Sequence, residues 1–274
     1  MLFDGPISCS GVHITYFCHV WHQIKYYLAH RFKSIHLHGI HSPFIYAFNK
    51  DCLQQGSSLA VKDELLRFRE SITSHPATLQ ITDHGAGSKK LNKSLRNTSQ
   101  ILKVNCSSHY RTQLLARIAD YLNVENALEL GTSLGVTAHA LSLTSDITTV
   151  EASPAVLDYA RQRWDDFKIS NITSISSTFD VFLDKLDQKS QYDLVFIDGH
   201  HDGAATLDYF ERLLPHLHDD SIVIVDDIYW STGMTTAWKT LQNHPKVTAC
   251  IDTFQWGLIF LRKEQRQQTF HVHV

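Results

Sequence analysis

The stretch Ala127–Leu141, ALELGTSLGVTAHAL, decides how this chain is read. A short apolar run closes on an acid, Glu129. A loop with glycines at 131 and 135 follows, and then an apolar segment with helical spacing. Glycine lets a backbone turn sharply and lets a ligand approach the main chain. A helix start offers free N–H groups and the positive end of a dipole. This is the layout of a nucleotide-type cofactor site.

A second loop, Asp83–Ser88 (DHGAGS), competes with it. Its continuation, KKLNKSLRNTSQ, is too polar and basic for a helix buried against a sheet, whereas VTAHALSL after Gly135 fits a packed crossover helix. The first loop also has a partner: the run Ile147–Val150 ends in Glu151. An acid about 20 residues past the loop, at the tip of the next strand, can hydrogen-bond a ribose diol. DHGAGS is left with two readings. One is a surface turn. The other is a lid whose neighbours Lys89, Lys90, Lys93 and Arg96 meet anionic groups.

Outward from this point the pattern is regular. Strands are expected at 126–130, 147–151, 172–177, 192–198 and 221–226, and helices at 134–144, 154–168, 179–187, 203–217 and 232–243. Strand alternating with helix implies parallel βαβ units in one doubly wound α/β sheet. The runs 247–254 and 257–262 read as an antiparallel hairpin, which makes a mostly parallel seven-stranded sheet. Upstream, 14–32 places aromatic and aliphatic residues at helical spacing, a face suited to packing on the main domain or on a second copy. His36, His38 and His41 cluster nearby, though Ser42-Pro43 reads better as the start of a helix at 44–53. Helices are also expected at 59–72 and 108–122, with 76–107 a loop-rich basic link. The division is a helical and loop-rich extension, 1–107, and a main domain, 108–274.

The 274 residues are 43% hydrophobic, enough for one large α/β domain with an appendage. The net charge of −3 argues against a global field for nucleic acid, leaving only the local patch 89–96. Five scattered cysteines without a CxxC pair read as reduced thiols in a cytoplasmic protein. No membrane span or secretory signal is expected.

Two further runs carry chemistry. Tyr192–Gly199 (YDLVFIDG) ends at Asp198, and Ser221–Asp227 (SIVIVDD) ends in Asp226 and Asp227. Ligands of open α/β sheets bind beyond the carboxyl ends of strands, so adjacent strands would bring three carboxylates to one rim. Crowded anions raise one another's pKa, and a hard divalent cation such as Mg²⁺ relieves them; the alternative is that they cap helices or bond main-chain N–H groups. Tyr229, Trp230 and Trp238 either wall a substrate pocket or pack in the core, whereas Trp256 and Phe260 read as core.

With its terminal hairpin, the region 108–262 resembles the class I, Rossmann-like S-adenosylmethionine-dependent methyltransferases. ELGTSLG matches their first motif, with Ser133 where many members have glycine, and Glu151 matches their ribose-binding acid. The resemblance implies that S-adenosylmethionine lies against Glu129, Gly131, Thr132, Ser133 and Gly135, with Glu151 and Ala152 at its ribose, Ser177 or Asp180 near its adenine, and Asp198 close by. The acids at 198, 226 and 227 resemble the ligands of the metal-dependent O-methyltransferases, the catechol O-methyltransferase group. In that group the catalytic base lies three residues after the first ligand, which is His201 here; its plant and mammalian members usually have lysine. HGIHSPF and DHGAGS resemble segments of a bacterial subgroup of unassigned substrate. The implied reaction is metal-assisted methylation of a hydroxyl oxygen on a small molecule, with His201 and Asp198 catalytic. A metal-free N- or C-methyltransferase, an NAD-dependent oxidoreductase and a non-catalytic cofactor- or partner-binding module are the alternatives. ELGTSLG departs from GxGxxG spacing, which weighs against NAD.

Overall fold

The computed structural model describes residues 11–34, 40–82, 93–263 and 266–274, with side chains from residue 21 onward except at 82, 93 and 94. His36, His38 and the DHGAGS loop lie outside these residues. The helices are α1 (Gly11–Lys33), α2 (Pro43–Phe48), α3 (Leu59–Ser74), α4 (Thr98–Val104), α5 (His109–Tyr121), α6 (Val136–Ser142), α7 (Pro154–Asp166), α8 (Phe179–Asp184), α9 (Gly203–Leu213) and α10 (Thr232–Gln242). A short hairpin, β1 (Thr78–Thr82) and β2 (Lys93–Asn97), precedes the main strands. These are β3 (Asn126–Leu130), β4 (Asp146–Glu151), β5 (Ile172–Ser176), β6 (Tyr192–Ile197), β7 (Leu217–Asp226), β8 (Ala249–Asp252), β9 (Trp256–Phe260) and β10 (Gln268–His271).

The main sheet has the order β10-β8-β9-β7-β6-β3-β4-β5, and β9 alone runs against the others. The chain reverses from β3–β4–β5 on one side to β6–β7 on the other, so β3 and β6 flank the topological switch point. Period-2 alternation explains why the strands read as unbroken apolar runs: both faces are buried. Leu194, Phe196, Ile222 and Ile224 face one core with α5, α6 and α7. Val195, Ile197, Val223 and Val225 face a second core with α8, α9 and α10.

The predicted strands and helices of the main domain are present. The sheet gains an eighth strand, because the tail 268–271 adds in parallel to β8, a pairing that four residues cannot announce in sequence. The link 76–107 likewise contains β1, β2 and α4 rather than loop alone. Ser42 caps α2, accepting from the Ile45 N–H at 3.2 Å, with Pro43 at its first turn. Ile45, Phe48, Phe68, Ile72 and Ile101 join the first core, so α2, α3 and α4 add a further layer to it beside α5 and α6. No helix among the described residues is long and apolar enough to cross a membrane.

Candidate active site

The strand ends at the switch point open onto a cavity of about 420 Å³. Gly131, Ser133, Glu151, Ala152, Asp198 and His201 all line it. A larger concavity of about 780 Å³ lies along α3, between Ala60, Arg67 and Leu143, away from the strand ends and their acids.

The loop after β3 is held by geometry that its sequence dictates. Gly131 has φ 117°, and a Cβ there would lie 1.9 Å from the Asp198 carbonyl oxygen, so β3 and β6 approach this closely only through glycine. Gly131 N–H donates to the Val150 carbonyl at 3.0 Å. Ser133 takes a left-handed φ of 48°. Its N–H donates to Glu151 Oε2 at 3.1 Å, while the Ser153 N–H donates to Oε1 at 2.9 Å. Glu151 is thereby fixed at the cavity edge. Gly135 caps α6 and packs on Trp164, which donates to its carbonyl at 3.2 Å.

Four predicted cofactor residues, Gly135 with Glu129, Thr132 and Ser177, do not line the cavity. Glu129 is fully buried; its Oε2 accepts from Thr149 Oγ1 at 2.5 Å and its Oε1 has no hydrogen-bond partner. Burial, with a smaller push from Glu151, lifts its carboxyl to about 7 against the pull of the Thr149 hydroxyl. Thr132 is buried too, its hydroxyl 2.6 Å from that of Thr149. Glu129 and Thr132 thus brace the loop from beneath. Ser177 donates to the Thr178 carbonyl, and Thr178, Phe179 and Asp180 line the cavity in its place. A Cβ on Gly199 would meet the Phe179 ring at 2.8 Å, so that ring lies flush against the β6 end. No pattern in the sequence singled out Phe179.

The acids converge in part. Asp198 ends β6 and Asp226 ends β7, adjacent strands in register. Loss of surrounding water raises the Asp198 carboxyl well above its ordinary range, and Asp226, Asp227 and Glu129 add to it. Asp226 is buried, and its Oδ1 has no hydrogen-bond partner. Arg111 Nη1 lies 3.6 Å from that atom, while Arg111 Nε donates to Gln255 at 2.7 Å. Asp227 has φ 51°, and its carboxylate does not join the other two in a cluster of three within 4.8 Å. An oxygen-only donor set with an orphaned buried carboxylate oxygen fits a hard cation, with Asp198 and Asp226 as the nearest pair.

His200 and His201 carry φ of 66° and 39°. With Ser133 and Asp227 they place four left-handed non-glycine residues at one rim, the kind of strain that clusters at functional sites. His200 Nδ1 lies 2.7 Å from Tyr209 OH and is thereby occupied. His201 faces the cavity, its ring 6.1 Å from that of Trp230. Of the three candidate pocket aromatics, Trp238 is core and Tyr229 is nearly so, while Trp230 is open to solvent. Trp256 and Phe260 are core, as expected. Two more cavity residues, Ile81 and Arg96, come from the β1–β2 hairpin.

Residues 128–228, the segment spanning these strand ends, match the family model described as a methyltransferase domain. No curated protein matches the chain in sequence. Among solved structures the chain is similar to an SAH-bound methyltransferase from Podospora anserina (TM-score 0.56, 15% identity, covering 78% of this chain and 92% of that one). It is also similar to an O-methyltransferase from Bacillus cereus in complex with SAH (TM-score 0.52, 16% identity, 77% and 93%). A third is the O-methyltransferase TomG from Streptomyces achromogenes, in complex with SAM (TM-score 0.53, 14% identity, 78% and 94%). Residues 128–228 thus match a methyltransferase domain model, and the chain shares the class I, Rossmann-like fold of solved S-adenosylmethionine-dependent methyltransferases.

Proposed function

We propose that the chain transfers a methyl group from S-adenosylmethionine to a hydroxyl oxygen of a small molecule, assisted by a divalent cation at Asp198 and Asp226, with Asp227 beside them. The observation that carries this reading is the meeting of the glycine loop, Glu151, Asp198 and His201 around one cavity, with Asp226 at the end of the neighbouring strand. Gly131, Ser133 and Gly135 shape the loop for the donor's amino acid end, with Glu129 and Thr132 bracing it. Glu151 and Ala152 border the ribose, and Phe179, beside Ser177 and Asp180, offers a face for the adenine. The sulfonium supplies an activated methyl, so the protein's task is mainly alignment for in-line displacement. Mg²⁺ would lower the pKa of the acceptor hydroxyl and orient it. His201 accepts the hydroxyl proton, and the oxygen takes the methyl as the S–CH₃ bond breaks to leave a neutral thioether. The solved O-methyltransferases of the same fold support the reading.

One observation favours a second reading. Arg111 already places a guanidinium beside Asp226, a cation that can neutralise the acid without a metal. A metal-free methyltransferase acting on nitrogen or carbon would follow.

Calorimetry with S-adenosylmethionine and its demethylated product tests the donor half: micromolar binding is expected, and none at millimolar ligand rejects the reading. Methylation of a panel of phenolic and alcoholic acceptors, with and without chelator, tests the metal half. Asp226→Ala is expected to lose Mg²⁺-dependent turnover and keep donor binding, and full activity in chelator rejects the metal.

A further inference from the structure

At the sheet edge, beyond β9, two side chains meet across the outermost strand pair. β8 and β10 run parallel with Asp252 opposite His271. Neighbours in register project to the same face of a sheet, about 5 Å apart. His30 enters over them from α1. Its Nε2 lies 3.4 Å from Asp252 Oδ1, and His271 Nδ1 lies 3.4 Å from Asp252 Oδ2. One ligand atom from each residue lies within 4.8 Å of the other two, and this is the one such trio among the described residues.

The donor set is prepared as metal ligands usually are. Tyr229 OH and Trp238 Nε1 donate to Asp252 Oδ2 at 2.6 and 3.0 Å. The Phe254 N–H donates to Oδ1 at 2.9 Å, so one Oδ1 lone pair stays open. His271 Nδ1 is buried and makes no hydrogen bond. His30 is buried as well. Its Nε2 lies 2.8 Å from the Asp252 carbonyl, and its Nδ1 lies 3.4 Å from the Ser34 hydroxyl. The ring proton can therefore shift to Nδ1 when Nε2 gives its lone pair to an ion.

We infer that His30, Asp252 and His271 bind a borderline divalent cation, best matched by Zn²⁺, which clasps the N-terminal helix and the C-terminal strand to the sheet edge. Zn–N and Zn–O bonds of about 2.0–2.1 Å put tetrahedral ligand atoms about 3.4 Å apart, and each imidazole nitrogen lies 3.4 Å from one Asp252 oxygen, with the three ligand atoms within 4.8 Å of one another. Two imidazoles and one carboxylate select zinc-like ions over Mg²⁺, whereas the oxygen-only acids at 198, 226 and 227 select the reverse. His271 is 19% exposed, which leaves the fourth position to water.

The test is calorimetric titration of the chelator-stripped full chain with Zn²⁺, paralleled by Co²⁺ and its visible absorption. The expected result is one equivalent bound and the spectrum of four-coordinate cobalt. His271→Gln, on an edge strand, is expected to weaken binding roughly tenfold or more, as for other losses at metal sites. Asp198→Asn is expected to leave zinc affinity unchanged. His30→Gln should match His271→Gln, and far-UV circular dichroism checks that both variants fold. No Zn²⁺ binding at micromolar ion, or binding unchanged in His271→Gln, overturns the site. Binding lost in Asp198→Asn but kept in His271→Gln assigns the ion to the strand rim and overturns it equally. Donor binding is measured separately, so failure here leaves the methyl-transfer reading untouched.

Discussion

At Gly131 one hydrogen atom decides whether β3 and β6 can meet. A methyl at that Cα would overlap the Asp198 carbonyl, at a backbone φ that side chains rarely adopt. Gly131→Ala is therefore expected to destabilise the fold by about 3 kcal/mol and to weaken donor binding, since relief requires moving the loop or the Asp198 peptide. Gly56→Ala is the control: its Cβ would meet only the flexible end of Lys62, at 3.8 Å. Equal stability of the two variants in urea would refute the account. The glycines, Glu151, Asp198 and His201 were legible as residue types at fixed spacing. Phe179 and Arg111 were not, because each acts through a neighbour that is distant in sequence: Gly199 for one and Asp226 for the other.

Among the elements, α6 carries an unusual burden. His139 is buried on it, stacked 4.4 Å from Phe68 and near Phe167, with neither ring nitrogen hydrogen-bonded. Burial pushes its pKa down to about 4, against the pull of Glu64. The unfolded chain takes up this proton near pH 6.5 and the folded chain only near pH 4, so the stability present above 6.5 is lost as pH falls toward 4. Between pH 7 and 5 this one group costs about 2 kcal/mol. Glu129 has the opposite sign: its raised value gives stability below its unfolded pKa that is lost as pH rises through about 7. Both proteins in the comparison retain Glu129, so His139→Leu should be less acid-sensitive than wild type by about the His139 amount, read from urea denaturation at pH 7 and 5. Equal acid sensitivity would place the proton elsewhere.

The elements also differ in how plainly they announce themselves. Strands buried on both faces appear as apolar runs, and helices facing one core appear by period. β1 and β2 flank a polar, basic stretch and pack on one side only, so their pairing left no run to read. β10 is four residues long, and only the edge of β8 makes it a strand.

The whole molecule is expected to unfold as one body, because the N-terminal helices pack into the first core of the sheet. Phe48 lies 5.5 Å from Phe260 and 5.6 Å from Tyr121, and Phe68 packs on α6 and α7 through His139 and Phe167. Circular dichroism and tryptophan fluorescence should therefore report one coincident denaturant transition. The fragment 108–274, stripped of Ile45, Phe48 and Phe68, should lose that cooperative fold. A native-like spectrum from the fragment would show that the extension is dispensable.

The sequence by itself determined the alternation of strands and helices, the glycine loop and the acids at strand tips, because period and local spacing record which faces are buried and where the chain must turn. Only the tertiary structure decided which loop residues face the cavity, that Glu129 braces from below, and that Arg111 stands beside Asp226. The same holds for the meeting of His30, Asp252 and His271 at the sheet edge. These depend on contacts between segments tens to hundreds of residues apart, and no local pattern encodes the distance between them.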